Sequence, residues 1–154
     1  KAVKDTNLPF EVHIVGDGPY RTQLEKLAEG SKTKIIFHGW LDRQSKEFFR
    51  LYEKAIVYVL VSSRENASIA LLEGMAAGCV IISTNVSGCK ETVGDAGFLI
   101  DYSDDKALKE ILWDLSENRE KLECYSKRAL IRLKKRFLWE ISILQYISIM
   151  NNPN

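Results

Sequence analysis

The chain has 154 residues, of which 45% are hydrophobic and 28% charged, proportions typical of an ordinary globular domain with a sizeable core. Because 22 basic residues balance 21 acidic ones, the sequence lacks the strong positive field expected of a nucleic-acid-binding protein. The three cysteines, Cys79, Cys89 and Cys124, have no metal-ligand spacing, which predicts reduced thiols in a cytoplasmic protein.

No apolar run approaches the roughly 20 residues that a membrane-spanning helix requires. The first predicted strand follows soon after Lys1, which is not an initiator methionine. We therefore expect the chain to be a piece of a longer protein.

The first predicted strand, Phe10 to Val15, ends at the turn Gly16-Asp17-Gly18-Pro19. A helix follows, with Leu24, Leu27 and Ala28 on one face and Pro19 expected in its first turn. A glycine-rich turn of this kind lets a phosphate approach a helix N-terminus. Arg21 stands where a dinucleotide fingerprint would have its third glycine, so a tight turn needing glycine for its own conformation is the alternative.

The second predicted strand, Lys34 to His38, leaves through Gly39 and Trp40, and Asp42 or Ser45 is expected to cap the next helix. The two histidines, His13 and His38, both fall in strands. We expect them to be satisfied core or sheet residues rather than metal ligands.

The apolar run Ile56 to Val61, a polar loop containing Glu65 and a helix rich in small residues predict strand, loop and helix in that order. Glu73 is expected two turns into that helix, about 12 Å beyond Glu65 at a rise of about 1.5 Å per residue. It is the only charged side chain between Ala67 and Ile82, so a packed helix would leave its carboxylate in need of donors, such as sugar or ribose hydroxyls. The alternative is an outward-facing Glu73 and a solvated Glu65.

Gly78 is expected to end this helix before the buried strand Cys79 to Thr84. The segment Asn85 to Glu91 follows this strand, and a short strand then ends at Ile100. The acidic run Asp101 to Asp105 is interpreted as a loop with an N-cap rather than a metal motif.

From Lys106 onward the pattern is helical, with apolar residues at helix spacing. Five basic residues lie along its later part: Arg128, Arg132, Lys134, Lys135 and Arg136. A solvated face is the default interpretation of this cluster, and a contact with anionic lipid or with another domain is the alternative. Phe137 to Met150 is too apolar for a free surface helix, and the tail from Asn151 to Asn154 is expected to be disordered or trimmed.

Alternating strands and helices predict a doubly wound parallel α/β sheet, Rossmann-like, over residues 1–154. Glu65 and Glu73, with seven residues between them and placed between a strand and an Ala/Gly-rich helix, resemble the E-x7-E signature of retaining GT-B glycosyltransferases, the "glycosyl transferases group 1". That family usually has glycine, phenylalanine and glycine after the first glutamate, where this chain has Asn66, Ala67 and Ser68. The segment Asn85 to Glu91 resembles the family's glycine-glycine-x-x-glutamate turn, with Cys89 in place of the second glycine, so Gly88 is expected to lie in a turn.

The resemblance implies the C-terminal, donor-binding half of a GT-B enzyme that moves a hexosyl group from a nucleoside diphosphate sugar to an acceptor. It implies neither a metal ion nor a cofactor. Glu65 would bind the donor sugar as the catalytic residue, and Glu73 would bind the ribose. The remaining donor-binding residues implied by the resemblance are Asn66, Ala67, Ser68, Ile69, Gly16, Gly18, Trp40 and Gly88.

The acceptor-binding N-terminal domain would be absent from the chain and would be its partner, so the isolated chain is expected to transfer no sugar. We expect a cytoplasmic protein, and contact with the inner face of the membrane is the further option. A nucleotide-sugar epimerase of the same architecture, or a scaffold domain that has lost donor recognition, are the alternatives.

Overall fold

A computed structural model describes residues 1–151 of the chain. The strands and helices, in chain order, are β1 (Val12–Val15), α1 (Arg21–Ala28), β2 (Ile35–Gly39), α2 (Lys46–Lys54), β3 (Val57–Leu60), α3 (Ile69–Ala76), β4 (Val80–Thr84), α4 (Ser87–Val93), β5 (Phe98–Ile100), α5 (Asp105–Glu117), α6 (Arg119–Arg136) and α7 (Trp139–Asn151). They confirm the predicted Rossmann-like parallel α/β fold.

The chain divides into two compact units. One unit comprises Lys1–Ala55 and Ser103–Arg119, and the other comprises Ile56–Tyr102 with the chain from Glu120 onward. All strand pairs are parallel: β1 pairs with β2 in the first unit, and β3, β4 and β5 pair in that order in the second.

In the first unit, the glycine turn after β1 closes before the helix begins. The Arg21 amide donates to the Gly18 carbonyl at 3.1 Å, which makes Pro19 the second residue of a four-residue turn. Helix α1 starts at Arg21 with Tyr20 as its N-cap, so the prediction that Pro19 lies in the first helical turn is wrong.

Ser45 is the N-cap of α2, and its hydroxyl accepts from the Phe48 amide at 3.2 Å. Asp42 instead orders the preceding turn, where its carboxylate accepts from the Gln44 amide at 2.8 Å. Of the two predicted caps, Ser45 is therefore correct, because only its hydroxyl reaches an amide of the first helical turn.

The two histidines bind one another across β1 and β2. His13 Nδ1 and His38 Nε2 are 2.8 Å apart, and the outer nitrogens face the carboxylates of Glu11 and Glu47 at 3.4 and 3.1 Å. Both are satisfied sheet residues as predicted, although His13 is exposed rather than part of a core.

Most of the buried hydrophobic residues of the described chain lie in the second unit. Strand β4 is buried along its whole length between β3 and β5. Leu71 and Met75 of α3 are fully buried, as are Ile81 and Ile82 of β4. Burying each such side chain contributes about 1.5–3 kcal/mol, so α3 is firmly anchored. Gly78 follows α3 with φ of +79°, which confirms it as the helix stop.

The segment after β4 differs from the prediction, because residues 87–93 form helix α4 rather than a turn. Cys89, Thr92 and Val93 are buried and recur at helical spacing, so they give α4 one inward face. The expectation of a turn came from the resemblance of this segment to the family's glycine-rich turn. Gly88 is thus a buried helical residue.

Asp104 caps α5, where its carboxylate accepts from the Ala107 amide at 2.9 Å, which confirms the acidic run as a capped loop.

In the second unit, α6 buries Ala129 and Leu133 and leaves Lys134, Lys135 and Arg136 exposed. Arg132 departs from the predicted solvated face, because only 15% of its side chain is exposed.

Helix α7 presents its apolar side chains outward, and Trp139 is 80% exposed. No helix within residues 1–151 combines the length and apolar composition that crossing a bilayer requires. Asn151 is the last residue of α7, and the rest of the predicted disordered tail, 152–154, lies outside the described residues.

Candidate functional site

Glu65 lies in the loop that joins β3 to α3, as predicted. Its side chain is half-buried, and its Oε1 accepts a hydrogen bond of 2.8 Å from the hydroxyl of Ser62. Within residues 1–151, no side chain donates to Oε2 of Glu65. The carboxylate is therefore oriented by Ser62 and keeps one oxygen for another donor.

The backbone of this loop is bound to the segment that follows β4. The Glu65 carbonyl accepts from the Gly88 amide at 3.2 Å and from the Ser87 hydroxyl at 3.5 Å. The Ser62 carbonyl accepts from the hydroxyl of Thr84 at 2.5 Å. The loop is thus anchored at two points along its length.

An open concavity of about 430 Å³ lies over this loop, lined by Arg64, Glu65, Asn66 and Ala67. Its volume is within the range of about 300–1,000 Å³ found for small-molecule sites. Sequence reasoning singled out three of these four residues and missed Arg64, whose position directly before the first glutamate was the available signal.

Helix α3 begins beside the loop with few of its first amides bonded. Ser68 is the N-cap and is buried, but its side chain makes no capping hydrogen bond. The Leu72 amide bonds to the Ser68 carbonyl at 3.4 Å, so the three amides before it lie ahead of the first intrahelical bond. An anion placed there would meet the positive end of the helix dipole.

Glu73 lies in the second turn of α3 and is half-buried. Its neighbours Leu71, Gly74 and Met75 are buried. A Cβ on Gly74 would lie 2.8 Å from the Tyr58 ring, which shows how closely α3 approaches β3. The packing fixes the backbone from which the Glu73 carboxylate projects.

In the first unit, the turn after β1 carries Gly16 and Gly18, both exposed. Gly16 has φ of +124°, which side-chain-bearing residues rarely adopt, and its amide donates to the Gly39 carbonyl at 2.7 Å. The Gly18 amide donates to the Asp17 carboxylate at 2.8 Å. This bond, followed by that from Arg21, lowers the pKa of Asp17. The two glycines thus serve the conformation of the turn, and both of their amides already have hydrogen-bond partners within the protein.

Arg21 is a residue near this turn that sequence reasoning did not assign. Its guanidinium lies 2.8 Å from the Glu25 carboxylate and 3.1 Å from that of Asp17, and these two carboxylates raise its pKa. A Cβ on Gly39 would lie 2.4 Å from Arg21 Nη1, so glycine leaves room for the guanidinium. Its spacing of four residues from both acidic neighbours was the signal.

Trp40 follows β2 with 74% of its surface exposed, so its ring face is accessible. The second unit brings Glu65, Asn66 and Gly88 together, whereas Gly16 and Gly18 share the turn in the first unit. The described residues contain no group of three or more His, Cys, Asp or Glu side chains placed to hold a metal ion.

The chain is similar in sequence to several known proteins. The sequence model of the family "Glycosyl transferases group 1" matches residues 1–118. Sulfoquinovosyl transferase SQD2 from Arabidopsis thaliana is 30% identical over 134 residues, which cover 84% of this chain and 26% of that protein. The chain spans 26 to 40% of the length of the curated relatives it matches.

Two solved structures illustrate the shared fold. HepE from Anabaena, solved with UDP-glucose, superposes with a TM-score of 0.73 at 19% identity, over 91% of this chain and 40% of HepE. The C-terminal domain of the group 1 protein LpcC from Francisella tularensis has a TM-score of 0.69 at 17% identity, over 90% of this chain and 92% of that domain. The match of the family model over most of its residues, supported by this shared fold, places the chain in the glycosyl transferases group 1 family.

Proposed function

We propose that this chain is the donor-binding domain of a retaining, metal-independent glycosyltransferase. The longer protein would transfer a hexosyl group from a nucleoside diphosphate sugar to an acceptor held by an N-terminal domain. Membership of the group 1 family supports the reaction class. The UDP-glucose complex of HepE, which shares the fold, supports the donor class.

In this proposal the two glutamates have separate roles. Glu65 binds hydroxyl groups of the donor sugar, and Glu73 binds the hydroxyl groups of the ribose. The first amides of α3, near Ala67, Ser68 and Ile69, face the diphosphate. As the bond between the anomeric carbon and the diphosphate oxygen breaks, these dipoles stabilise the departing negative charge, a role that requires neither metal nor cofactor.

The observation that carries the proposal is the ordered carboxylate of Glu65 over an open concavity. Ser62 fixes one oxygen at 2.8 Å, while the concavity beside it is lined by Arg64, Asn66 and Ala67. An oriented acceptor group at the rim of such a space suits recognition of sugar hydroxyls. Gly16, Gly18 and Trp40 are proposed from family resemblance to contact the diphosphate and the base.

A calorimetric titration tests donor binding. The chain is titrated with UDP, GDP and ADP and with their glucosyl or mannosyl esters, beside a Glu73→Gln variant. Loss of a charge-assisted hydrogen bond costs about 1.5–3 kcal/mol, so the variant should bind the preferred nucleotide at least about tenfold more weakly. If the parent and a longer chain extended upstream both bind none of these ligands, the proposal is wrong.

The longer protein tests retention and metal independence. NMR of the product should show the same anomeric configuration as the donor, and turnover should persist in excess EDTA. Inverted product or loss of turnover on chelation would overturn the corresponding part of the proposal. Conversion of the donor to its epimer without acceptor would instead identify an epimerase.

We further propose that the exposed apolar surface of α7 packs against the N-terminal domain in the longer protein, which would act in the cytoplasm. The basic residues Lys134, Lys135 and Arg136 precede this helix and are exposed. An anionic membrane is therefore the competing partner for this surface. Co-sedimentation of the longer protein with vesicles of phosphatidylglycerol, in low and high salt, separates the two.

A scaffold domain without donor recognition is the second candidate. The departure at Asn66, Ala67 and Ser68 favours it, because side chains replace the glycines that would let a backbone approach a sugar closely. Asn66 and Ala67 are exposed at the concavity, so their side chains would meet a ligand there. This candidate predicts no calorimetric signal with any nucleotide sugar.

A further inference from the structure

The first turn of α4 lies against the loop that carries Glu65 with no space for a side chain between them. A Cβ built on Gly88 would be 1.8 Å from the carbonyl oxygen of Asn66 and 2.8 Å from that of Glu65. Real side-chain carbons essentially never approach this closely. Gly88 does not have a positive φ, so the requirement for glycine here comes from space alone.

The Gly88 amide is also committed within the protein. It donates to the Glu65 carbonyl at 3.2 Å, and the residue is buried. A direct hydrogen bond from Gly88 to a donor would have to break this contact. The resemblance assigned Gly88 to donor binding, whereas its contacts suit the positioning of another residue.

Helix α4 is anchored and cannot easily retreat. Cys89 and Val93 are fully buried on its inward face. Arg132 of α6 donates to the carbonyls of Thr92 and Glu91 at 2.7 and 2.6 Å, at the other end of the helix. Asn66 and Ala67, by contrast, are exposed loop residues. Any conflict at Gly88 will therefore displace the loop rather than the helix.

We propose that Gly88 is a positioning residue that sets the Glu65–Asn66 peptide, and through it the placement of the Glu65 carboxylate against the donor sugar. This inference rests on the proposed function. An alanine at position 88 must push the Asn66 carbonyl to ordinary contact at 3.4 Å or more, a displacement of about 1.6 Å. Misplacement by about 1 Å can cost about a hundredfold in activity at a reacting centre.

The test compares affinities for a nucleoside diphosphate and for its sugar ester. The probe is whichever of UDP-glucose, GDP-mannose and ADP-glucose the parent chain binds, together with the matching diphosphate. In Gly88→Ala, the affinity ratio, which is the affinity for the sugar ester divided by that for the diphosphate, should fall at least tenfold, because the sugar loses its contact with Glu65. Affinity for the diphosphate alone should stay within about threefold of the parent.

Gly97→Ala is the matched control. A Cβ there would lie 2.6 Å from the Ile81 carbonyl and 2.8 Å from Val93 Cγ1, in the same unit but at the end of α4 opposite Gly88 and away from the Glu65 loop. It should lower the melting temperature and leave the affinity ratio unchanged. If Gly88→Ala also leaves the ratio unchanged, or weakens both ligands equally, the positioning role is wrong.

Thr84→Val provides a second variant should Gly88→Ala fail to fold. It is close to isosteric, adds no backbone clash and removes the bond to the Ser62 carbonyl, the other attachment of the loop. The affinity ratio should fall about threefold, and an unchanged ratio would overturn the inference. Absence of binding by the parent would refute the proposed function itself, whereas parental binding with unaltered variant ratios refutes only the role of Gly88.

Discussion

Ser62 and Glu65 form the smallest unit of the candidate site. The hydroxyl lies three residues before the carboxylate and bonds to it at 2.8 Å, so a local contact orients the group that would bind the sugar. Sequence spacing identified Glu65 and Glu73 but not Ser62. A serine in a polar loop has no signal of its own until the turn of the backbone places it beside the carboxylate.

Replacing Ser62 should weaken sugar recognition without affecting the nucleotide. A neutral hydrogen bond contributes about 0.5–1.5 kcal/mol, so Ser62→Ala should reduce the affinity for the sugar ester about two- to tenfold. Calorimetry with the diphosphate and its ester measures this difference. Ser63→Ala is the control, because Ser63 is exposed and makes no such bond to Glu65. Equal effects of the two variants would contradict the assignment.

The buried thiol of Cys79 should make stability depend on alkaline pH. Burial raises its pKa to about 11, from an ordinary value of 9.0, because the charged thiolate loses its hydration. Between these values the thiol ionises in the unfolded chain but stays protonated in the folded one. Its contribution is therefore complete below pH 9 and is lost as the pH rises toward 11.

Urea denaturation at several pH values measures this loss. Across the window the free energy of unfolding should fall by up to about 2–3 kcal/mol more in the parent than in Cys79→Ala. The difference between the two proteins cancels the titration of lysines and tyrosines. Identical pH slopes for parent and variant would show that the thiol is not buried as described.

Among the elements, α3 and α4 position the loop that carries Glu65 and joins β3 to α3. The apolar and small residues of α3 predicted its packing, and Gly78 predicted its end, because burial and a left-handed glycine leave local signals. Helix α4 was not predicted, because residues 85–91 resemble a glycine-rich turn and Gly88 lies near the start of the helix. Glycine is unfavourable within helices. Gly88 is needed here because the loop that carries Glu65 and Asn66, which is distant in sequence, lies too close for a side chain.

Arg132 should be the main support of the C-terminal end of α4. It is mostly buried and donates to the carbonyls of Glu91 and Thr92, so Arg132→Met leaves two acceptors without their charged donor. We expect a loss of about 1–3 kcal/mol in chemical denaturation. Arg136→Met, on the exposed part of the same helix, should change stability by less than about 0.5 kcal/mol. Comparable losses of unfolding free energy in the two variants would show that Arg132 is not the main support of α4.

At the scale of the whole molecule, α7 is the element whose surroundings the described chain explains least. Its sequence predicted a helix too apolar for a free surface, and Trp139, Ile143 and Tyr146 are exposed in this chain. Periodicity indicates that a helix has an apolar surface but does not say which surface covers it. The parallel pairing of the strands was predictable, because alternation of strands and helices leaves few topologies.

Polar substitutions on α7 should not destabilise this chain. Ile143→Gln and Ile147→Gln together should leave the melting temperature of the chain nearly unchanged, since both side chains are about half exposed. In the longer protein the same pair should lower the melting temperature if the N-terminal domain covers α7. Scanning calorimetry of both proteins measures this. An equal decrease in both would show that α7 supports the fold of the chain itself.

Glu65 and Glu73 are proposed to divide donor recognition, with Glu65 binding the sugar and Glu73 the ribose. The most direct test of this division is a crossed titration of Glu65→Gln and Glu73→Gln with a nucleoside diphosphate and its sugar ester. Glu73→Gln should weaken both ligands by the same factor, about tenfold or more, whereas Glu65→Gln should weaken only the ester. Equal losses for both ligands in both variants, or no loss in either, would contradict it.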